Sequence, residues 1–568
     1  MAGAVIENLS NQKLTYILSS LFVLLIGFFL LGALCAPQPS SSMKFDMSAC
    51  NDSKMGKNQN EWFYIRPSVS ESISIFPLLH YEYSISCKMR GCRHIEDLKK
   101  ARDAREIVFV AQMPHPRVGV QLEYSRWFQF LLGLLDIRTV YASDSRMPDE
   151  IIILLEVRLG YRTHSDPEET WHELATANTT RTLRCKSPAL KEEGDIYDCD
   201  TLDLFELGSN PYPFYLLNIR LPVDREACMR SPDPSKVPNC ALAMIDLITL
   251  IEIHQNGGFT AIWLGLKTVI FPLVFVMLVW YWKRISGLPR YPYLVEKAIF
   301  VLGLSLAILD FPMEWLSLWF KIPFLLFVTD VKQGFFYAVL FSFWLVFAGE
   351  HLIDDTSRNN LASYWKNLSS VLVASLCFLV YDIAERGMQL SDPFFNIWSS
   401  ERGTKLAYTM IYTASVATVA YFCFLFYKVV LVWMTVRRKR EAQLYRTSET
   451  RRIKVEAVIY RFKFMMCFTL VCAAFTVTSY LLKQHGEGQM HGDEYSESPL
   501  TNSTSAFFTG TFGMWNIYVL LLLSLYAPSH KQYVTSIALT DEADDLIGSS
   551  GPESSGSALA AFTKLATD

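Results

Sequence analysis

The chain has 568 residues, of which 51% are hydrophobic, 14% aromatic and 19% charged, whereas an ordinary soluble domain is about 25% charged. This composition excludes disordered and fibrous classes, and the gathering of apolar residues into long blocks excludes a string of soluble domains. The formal net charge is −4 and the one strongly basic stretch is confined to residues 437–463, so nothing in the charge pattern calls for a nucleic-acid partner.

Blocks of about 18 or more largely apolar residues, enough to cross roughly 30 Å of hydrocarbon, fall near 14–36, 262–282, 298–320, 334–352, 368–384, 406–436, 462–482 and 507–527. They predict eight transmembrane helices, one N-terminal and seven closely spaced. The organisation read from them is a cytoplasmic N-terminus (1–13), transmembrane helix 1 (14–36), a soluble domain (37–258), a seven-helix membrane bundle (259–527) and a disordered cytoplasmic tail (528–568). Ala33–Ala36 has the small-residue look of a signal-peptide cleavage site. The apolar run before it exceeds the usual core of about 7 to 15 residues, which predicts a retained anchor.

Lys and Arg near membrane ends stay on the cytoplasmic side. The link between the sixth and seventh spans carries Arg437, Arg438, Lys439, Arg440, Arg446, Arg451, Arg452, Lys454, Arg461 and Lys463, and the link after the second carries Lys283, Arg284, Arg290 and Lys297. Both links are therefore predicted cytoplasmic, as are both chain ends, which places 37–258 in the lumen or outside the cell. In that compartment disulfides persist. Cys50, Cys87, Cys92, Cys185, Cys199, Cys228 and Cys240 lie there. Short spacing favours Cys185 with Cys199 and Cys228 with Cys240; Cys50 takes Cys87 or Cys92, leaving one thiol over. Asn51, Asn178 and Asn502 begin N-x-S/T triplets on the same side and are expected glycosylation sites, whereas Asn8 and Asn367 fall on the cytoplasmic side.

Within the soluble domain, residues 107–113, 151–162, 214–223 and 242–253 read as strands rich in β-branched and aromatic residues, closed by Pro, Gly and Asp. An antiparallel β-sandwich is expected; a mixed domain with helix near 96–105 and 121–131 is the alternative. His80, His94, His115, His164, His172 and His254 lack the short spacings of a zinc site, and no G-x-S-x-G elbow occurs.

In the spans, an ionisable group costs about 2.5 to 3.5 kcal/mol or more unless it is paired or faces a cavity. Asp310 and Glu314, one helical turn apart, and Asp382, Glu385 and Arg386 meet that description. They line a polar ligand cavity or, alternatively, pair helices together. Asp330, Lys332, Glu350 and His351 are placed near the interfaces. An intramembrane metallohydrolase needs several ligands converging from neighbouring helices, and His351 stands alone, so the chain is read as non-enzymatic and without a cofactor.

The segments YSRWFQFL (124–131), FYLLNIRLPV (214–223), IHQNGGFT (253–260), KQGFFYAVLFSFWLVFAGEH (332–351), DIAERGMQLSDPFFNIW (382–398), YRFKF (460–464), SAFFTGTFGMWNIYV (505–519) and LYAPSHKQY (525–533) resemble the Wntless family, also called Evenness interrupted, and are close to a nematode member. The resemblance runs from Ala2 to about Tyr533. It implies a multi-pass α-helical membrane protein in which one helix, a luminal β-sandwich and a bundle similar to G-protein-coupled receptors follow one another. It also implies a sorting receptor for lipidated Wnt proteins, moving through endoplasmic reticulum, Golgi and plasma membrane and returned through early endosomes by endocytosis, retromer and a sorting nexin. The acyl chain enters the bundle, and Phe335, Phe336, Tyr337, Phe341, Phe343 and Trp344 are candidates to line its cavity, ordinary packing or lipid contact being the alternative for each.

Two family signals are missing. Val455, Glu456, Ala457 and Val458 stand where vertebrate relatives carry Tyr-x-x-Leu, and the chain ends TKLATD without the lysine-led retrieval ending. The tail instead offers Glu542, Leu546 and Ile547, which resemble an acidic dileucine signal for a clathrin adaptor. Residues 541–558, rich in Asp, Ser and Gly, are expected to be disordered and accessible. The basic run Arg437–Arg440 attracts anionic membrane lipids or simply sets topology. A seven-helix signalling receptor is the competing class, weakened by the lack of D-R-Y and N-P-x-x-Y at the matching span ends. A transporter would show repeated halves and broken helices.

Overall fold

The computed structural model describes residues 11–52, 62–67, 87–89, 93–94, 107–116, 122–142, 147–187, 192–350, 361–444 and 504–528, together with 5, 469 and 472. Its strands are β1 (Ser40–Asp46), β2 (Ser48–Asn51), β3 (Ile65–Pro67), β4 (Cys87–Met89), β5 (Arg93–His94), β6 (Ile107–Met113), β7 (Leu131–Val140), β8 (Glu150–Arg162), β9 (His172–Lys186), β10 (Asp198–Cys199), β11 (Leu202–Leu207), β12 (Phe214–Arg220) and β13 (Met244–Gln255). Two antiparallel sheets, ordered β1-β13-β7-β11 and β10-β9-β8-β12-β6-β2-β5, face each other, with a separate ribbon β3-β4.

Period-2 patterning builds the core between the sheets. On β8, Ile151, Ile153, Leu155, Val157 and Leu159 are buried, while the alternate residues from Glu150 to Arg158 are partly or fully exposed. They meet Leu135 and Ile137 of β7 and Ile248 and Leu250 of β13 in one cluster. The sandwich is thus as expected, and the helix alternative fails over 122–130, which is a turn feeding β7. Within the sandwich one short helix, α2 (Arg225–Arg230), is capped by Asp224. Cys185 is joined to Cys199 and Cys228 to Cys240, and the fully buried Cys50 is also disulfide-bonded. Cys87 opens β4.

The remaining helices are α1 (Asn11–Leu34), α3 (Gly257–Ser286), α4 (Leu294–Asp310), α5 (Glu314–Trp319), α6 (Leu325–Glu350), α7 (Trp365–Gln389), α8 (Glu401–Leu444) and α9 (Thr504–Leu525). Among the described residues six helices are long and apolar enough to cross a membrane: α1, α3, α6, α7, α8 and α9. The expected single helix over 298–320 is broken into α4 and α5. Pro312 disfavours helical geometry at the residue before it, and Phe311 has ψ 118°. The fourth span begins at Leu325 rather than 334, which puts Asp330 and Lys332 inside α6. The expected span 462–482 lies outside the described residues apart from 469 and 472.

α1 packs along α9. A β-carbon at Gly510 or Gly513 would overlap Phe29 or Phe28. Thr509 Oγ1 donates to Phe28 O at 2.9 Å and Ser505 Oγ to Pro37 O at 2.5 Å. These close contacts between small residues and rings hold α1 in the bundle, as in other membrane helix pairs.

Candidate functional site

The bundle interior combines an ionic cluster at the α4–α5 break with an aromatic wall. Lys267 of α3 pairs with Glu314 of α5, and the two side chains are 5% and 10% exposed. Lys332 Nζ donates to Phe311 O at 2.9 Å, joining Met313 N on the carbonyl at the break. Asp310 is fully buried and neither carboxylate oxygen has a hydrogen-bond partner among the described residues, although Asn516 lies alongside.

On α6, Phe336, Leu340, Phe343, Trp344 and Phe347 recur at helical spacing and share a buried face. Phe336 meets Trp515 of α9 at 6.1 Å, Trp344 meets Trp515 at 6.2 Å, and Trp344 Nε1 donates to Tyr518 OH at 3.1 Å. Tyr337 and Phe341 stack at 6.2 Å, and Phe341 meets Tyr421 of α8 at 5.3 Å. Phe335, by contrast, is 46% exposed and points away from this wall. Trp515, Tyr518 and Tyr421 join the wall although the sequence reading did not single them out as lining residues. Only knowledge of which helices touch selects them.

Where the sandwich meets the bundle, a cavity of about 240 Å³ lies between the β11–β12 connection and the ends of α6 and α7. Glu206, Tyr212, Lys321, Leu326, Phe327 and Arg386 are among its walls. Arg386 of α7 pairs with Glu206 of β11 and approaches Asp330 of α6 at 3.7 Å. The Lys321 ammonium lies 4.5 Å from the Tyr212 ring centroid. Asp382 and Glu385 are half-buried on the same turns of α7 as Arg386. Arg126 of the turn before β7 donates to Leu318 O at 3.0 Å and Trp319 O at 3.1 Å, fixing the end of α5 to the sandwich.

Next to this junction, Tyr124 OH donates to Glu252 Oε2 at 2.5 Å. Burial pushes the Glu252 carboxyl up to about 7 and holds the neighbouring His254 below its usual value. Of the expected glycosylation sites, Asn178 is exposed on β9, Asn51 is half-buried on β2, and Asn502 lies outside the described residues. Cys92 and the tail residues Glu542, Leu546 and Ile547 also lie outside them.

Among the described residues no three or more His, Cys, Asp and Glu side chains gather as a metal site would require. The arrangement offers polar contacts at the junction and an aromatic surface within the bundle, the two chemistries that an amphiphile needs.

Comparison with known proteins gives the same two-part division. A family model described as "Wntless, GOLD domain" matches residues 48–255, and one described as "Wntless-like, transmembrane domain" matches 256–530. The chain is 51% identical to the protein wntless homolog of Caenorhabditis elegans over 574 residues, covering 100% of both chains. It is 39% identical to protein wntless of Drosophila pseudoobscura pseudoobscura, over 97% of this chain and 95% of that one. It is 38% identical to the protein wntless homolog of Homo sapiens, over 94% of this chain and 92% of that one. With two adjoining family models that together match residues 48–530 and relatives this similar along the whole length, the chain belongs to the Wntless family.

Proposed function

We propose that the protein is a Wnt secretion factor: a non-enzymatic sorting receptor that takes up lipid-modified Wnt proteins in the secretory pathway and carries them to the cell surface. The observation that carries this reading is full-length family membership, which extends through both the sandwich and the bundle. The sandwich faces the lumen and grips the protein part of the cargo, while the acyl chain lies against the aromatic wall of α6 and α9.

The physics favours such a division of labour. Burying a sixteen-carbon chain is worth on the order of 10 kcal/mol against water, at about 0.8 kcal/mol per methylene. Against the bilayer, which is as apolar as Leu, that advantage almost vanishes. Retention then depends on shape in the bundle and on protein contacts in the sandwich. Endocytosis through a clathrin adaptor reading Glu542, Leu546 and Ile547, followed by retrieval with retromer and a sorting nexin, returns the carrier to the Golgi.

Removing the gene from secreting cells is expected to abolish extracellular Wnt, and removing it from receiving cells to leave Wnt release intact. A defect confined to receiving cells would contradict the carrier reading. Leu546→Ala combined with Ile547→Ala is expected to raise surface abundance; an unchanged surface level would reject the tail signal.

A further inference from the structure

Among the described residues the α7–α8 pair buries few side chains, whereas the segment that joins the two helices is embedded in the sandwich. Among the described residues of α7 only Val371 is buried, and α8 buries Ala407, Ala414 and Tyr421. The segment joining the two helices behaves differently. Phe394, 1% exposed, sits in the sandwich core with its ring edge-on to Phe205 at 6.3 Å. Glu206 N donates to Pro393 O at 2.9 Å.

The most specific contact is made by Arg181 of β9. Its Nη2 donates to Phe394 O at 2.6 Å and its Nε to Asp203 O at 2.8 Å, while Nη1 reaches Thr180 O at 3.1 Å and the Thr179 hydroxyl. One guanidinium thus joins two sandwich strands to the α7–α8 turn. It is 8% exposed, so water does not compete for these donors. The planar fork matches diverging carbonyls in a way that a lysine ammonium does not. Just before the turn, Arg386 faces Glu206 of the sandwich on one side and Asp330 of α6 on the other. The seam between α6 and α7 therefore ends on a residue whose partners belong to different bodies.

We infer that Arg181 is a positioning residue: by holding the Phe394 carbonyl it makes the α7–α8 pair move with the sandwich, so that protein gripped by the sandwich sets how the bundle holds the acyl chain. This rests on the carrier reading above. Allosteric coupling between sites is ordinarily worth 5- to 150-fold in affinity, about 1 to 3 kcal/mol, and is carried by an element that both sites bias. Here that element is the α7–α8 pair.

The test uses the full-length protein in lipid nanodiscs, with Arg181→Met, which removes every donor, and Arg181→Lys, which keeps the charge and loses the fork. Spin labels at Lys186 of β9 and at Tyr412 of α8, both exposed, report the distance between sandwich and helix pair. In the wild type this distance is expected to be narrowly distributed, and in both variants broad. Preference for acylated over unacylated Wnt is expected to fall about tenfold in Arg181→Met, with the affinity for unacylated Wnt unchanged. A merely structural role would lower both affinities together, and that result overturns the inference, as does an unaltered label distance in folded Arg181→Met or, should that variant not fold, in Arg181→Lys. Absence of any acyl preference in the wild type would count against the carrier reading, and the label distance would still decide the coupling.

Discussion

Lys267 of α3 and Glu314, the first residue of α5 after the break at Pro312, form an ion pair in the bundle interior. Removing one partner leaves a buried charge uncompensated, which costs about 3 to 5 kcal/mol. Replacing both with apolar residues of similar volume does not. Glu314→Ala is therefore expected to lower the melting temperature of the solubilised protein sharply. Lys267→Met combined with Glu314→Met should recover most of the loss. If the double variant is no better than Glu314→Ala, the pair is not the interaction that matters there.

Asp310 gives the opposite expectation. Its buried carboxylate oxygens lack hydrogen-bond partners within bonding distance among the described residues, and the Asn516 side chain alongside has an unpartnered Oδ1 of its own. An amide of the same shape supplies a donor, so Asp310→Asn is expected to stabilise by on the order of 1 kcal/mol. A clear loss of thermal stability would show that the carboxylate is needed for packing. Loss of acylated cargo with stability retained would instead assign it to the ligand.

Glu252 predicts a pH dependence with a definite sign. Its folded value of about 7 lies above the ordinary 4.5, because burial disfavours the charged form. The folded state therefore binds the proton more tightly, and this contribution to stability is present at low pH and lost as pH rises from about 4.5 through 7. Glu252→Gln removes the charge and keeps an acceptor for Tyr124. The variant should match the wild type at pH 5 and exceed it at pH 8 by on the order of 3 kcal/mol. His254 titrates in both proteins with the opposite sign below its usual value, so it cancels in the difference. Parallel curves of melting temperature against pH would contradict the assignment.

Local patterns made the apolar blocks and the strands β6, β8, β12 and β13 legible, because span length and alternation are properties of short segments. The sequence reading did not resolve β9 as a strand. Its inward positions include Thr179 and Arg181 as well as Leu183 and Cys185, so the alternation of burial is not an alternation of hydropathy. The α4–α5 break is visible at Pro312, but hydropathy averages over it. Lys267 is visible as a lone cation in an apolar block; its pairing with Glu314 is not, since the two are 47 positions apart and meet only when α3 packs near α5. For the same reason Arg386 announces itself as an ionisable residue in a span, whereas its partner Glu206 lies in another domain. Trp515 and Tyr518 face the interior because α9 packs against α1, α3 and α4 and its rings reach α6, a long-range fact that no periodicity contains.

The most direct measurement compares capture of acylated Wnt with capture of the same Wnt lacking its acyl chain, by the purified protein in nanodiscs. Strong retention of the acylated form is expected, with the unmodified form held only through the sandwich and released much faster. Equal affinity and equal dissociation rates for the two would contradict a carrier that shelters the acyl chain in its helical bundle.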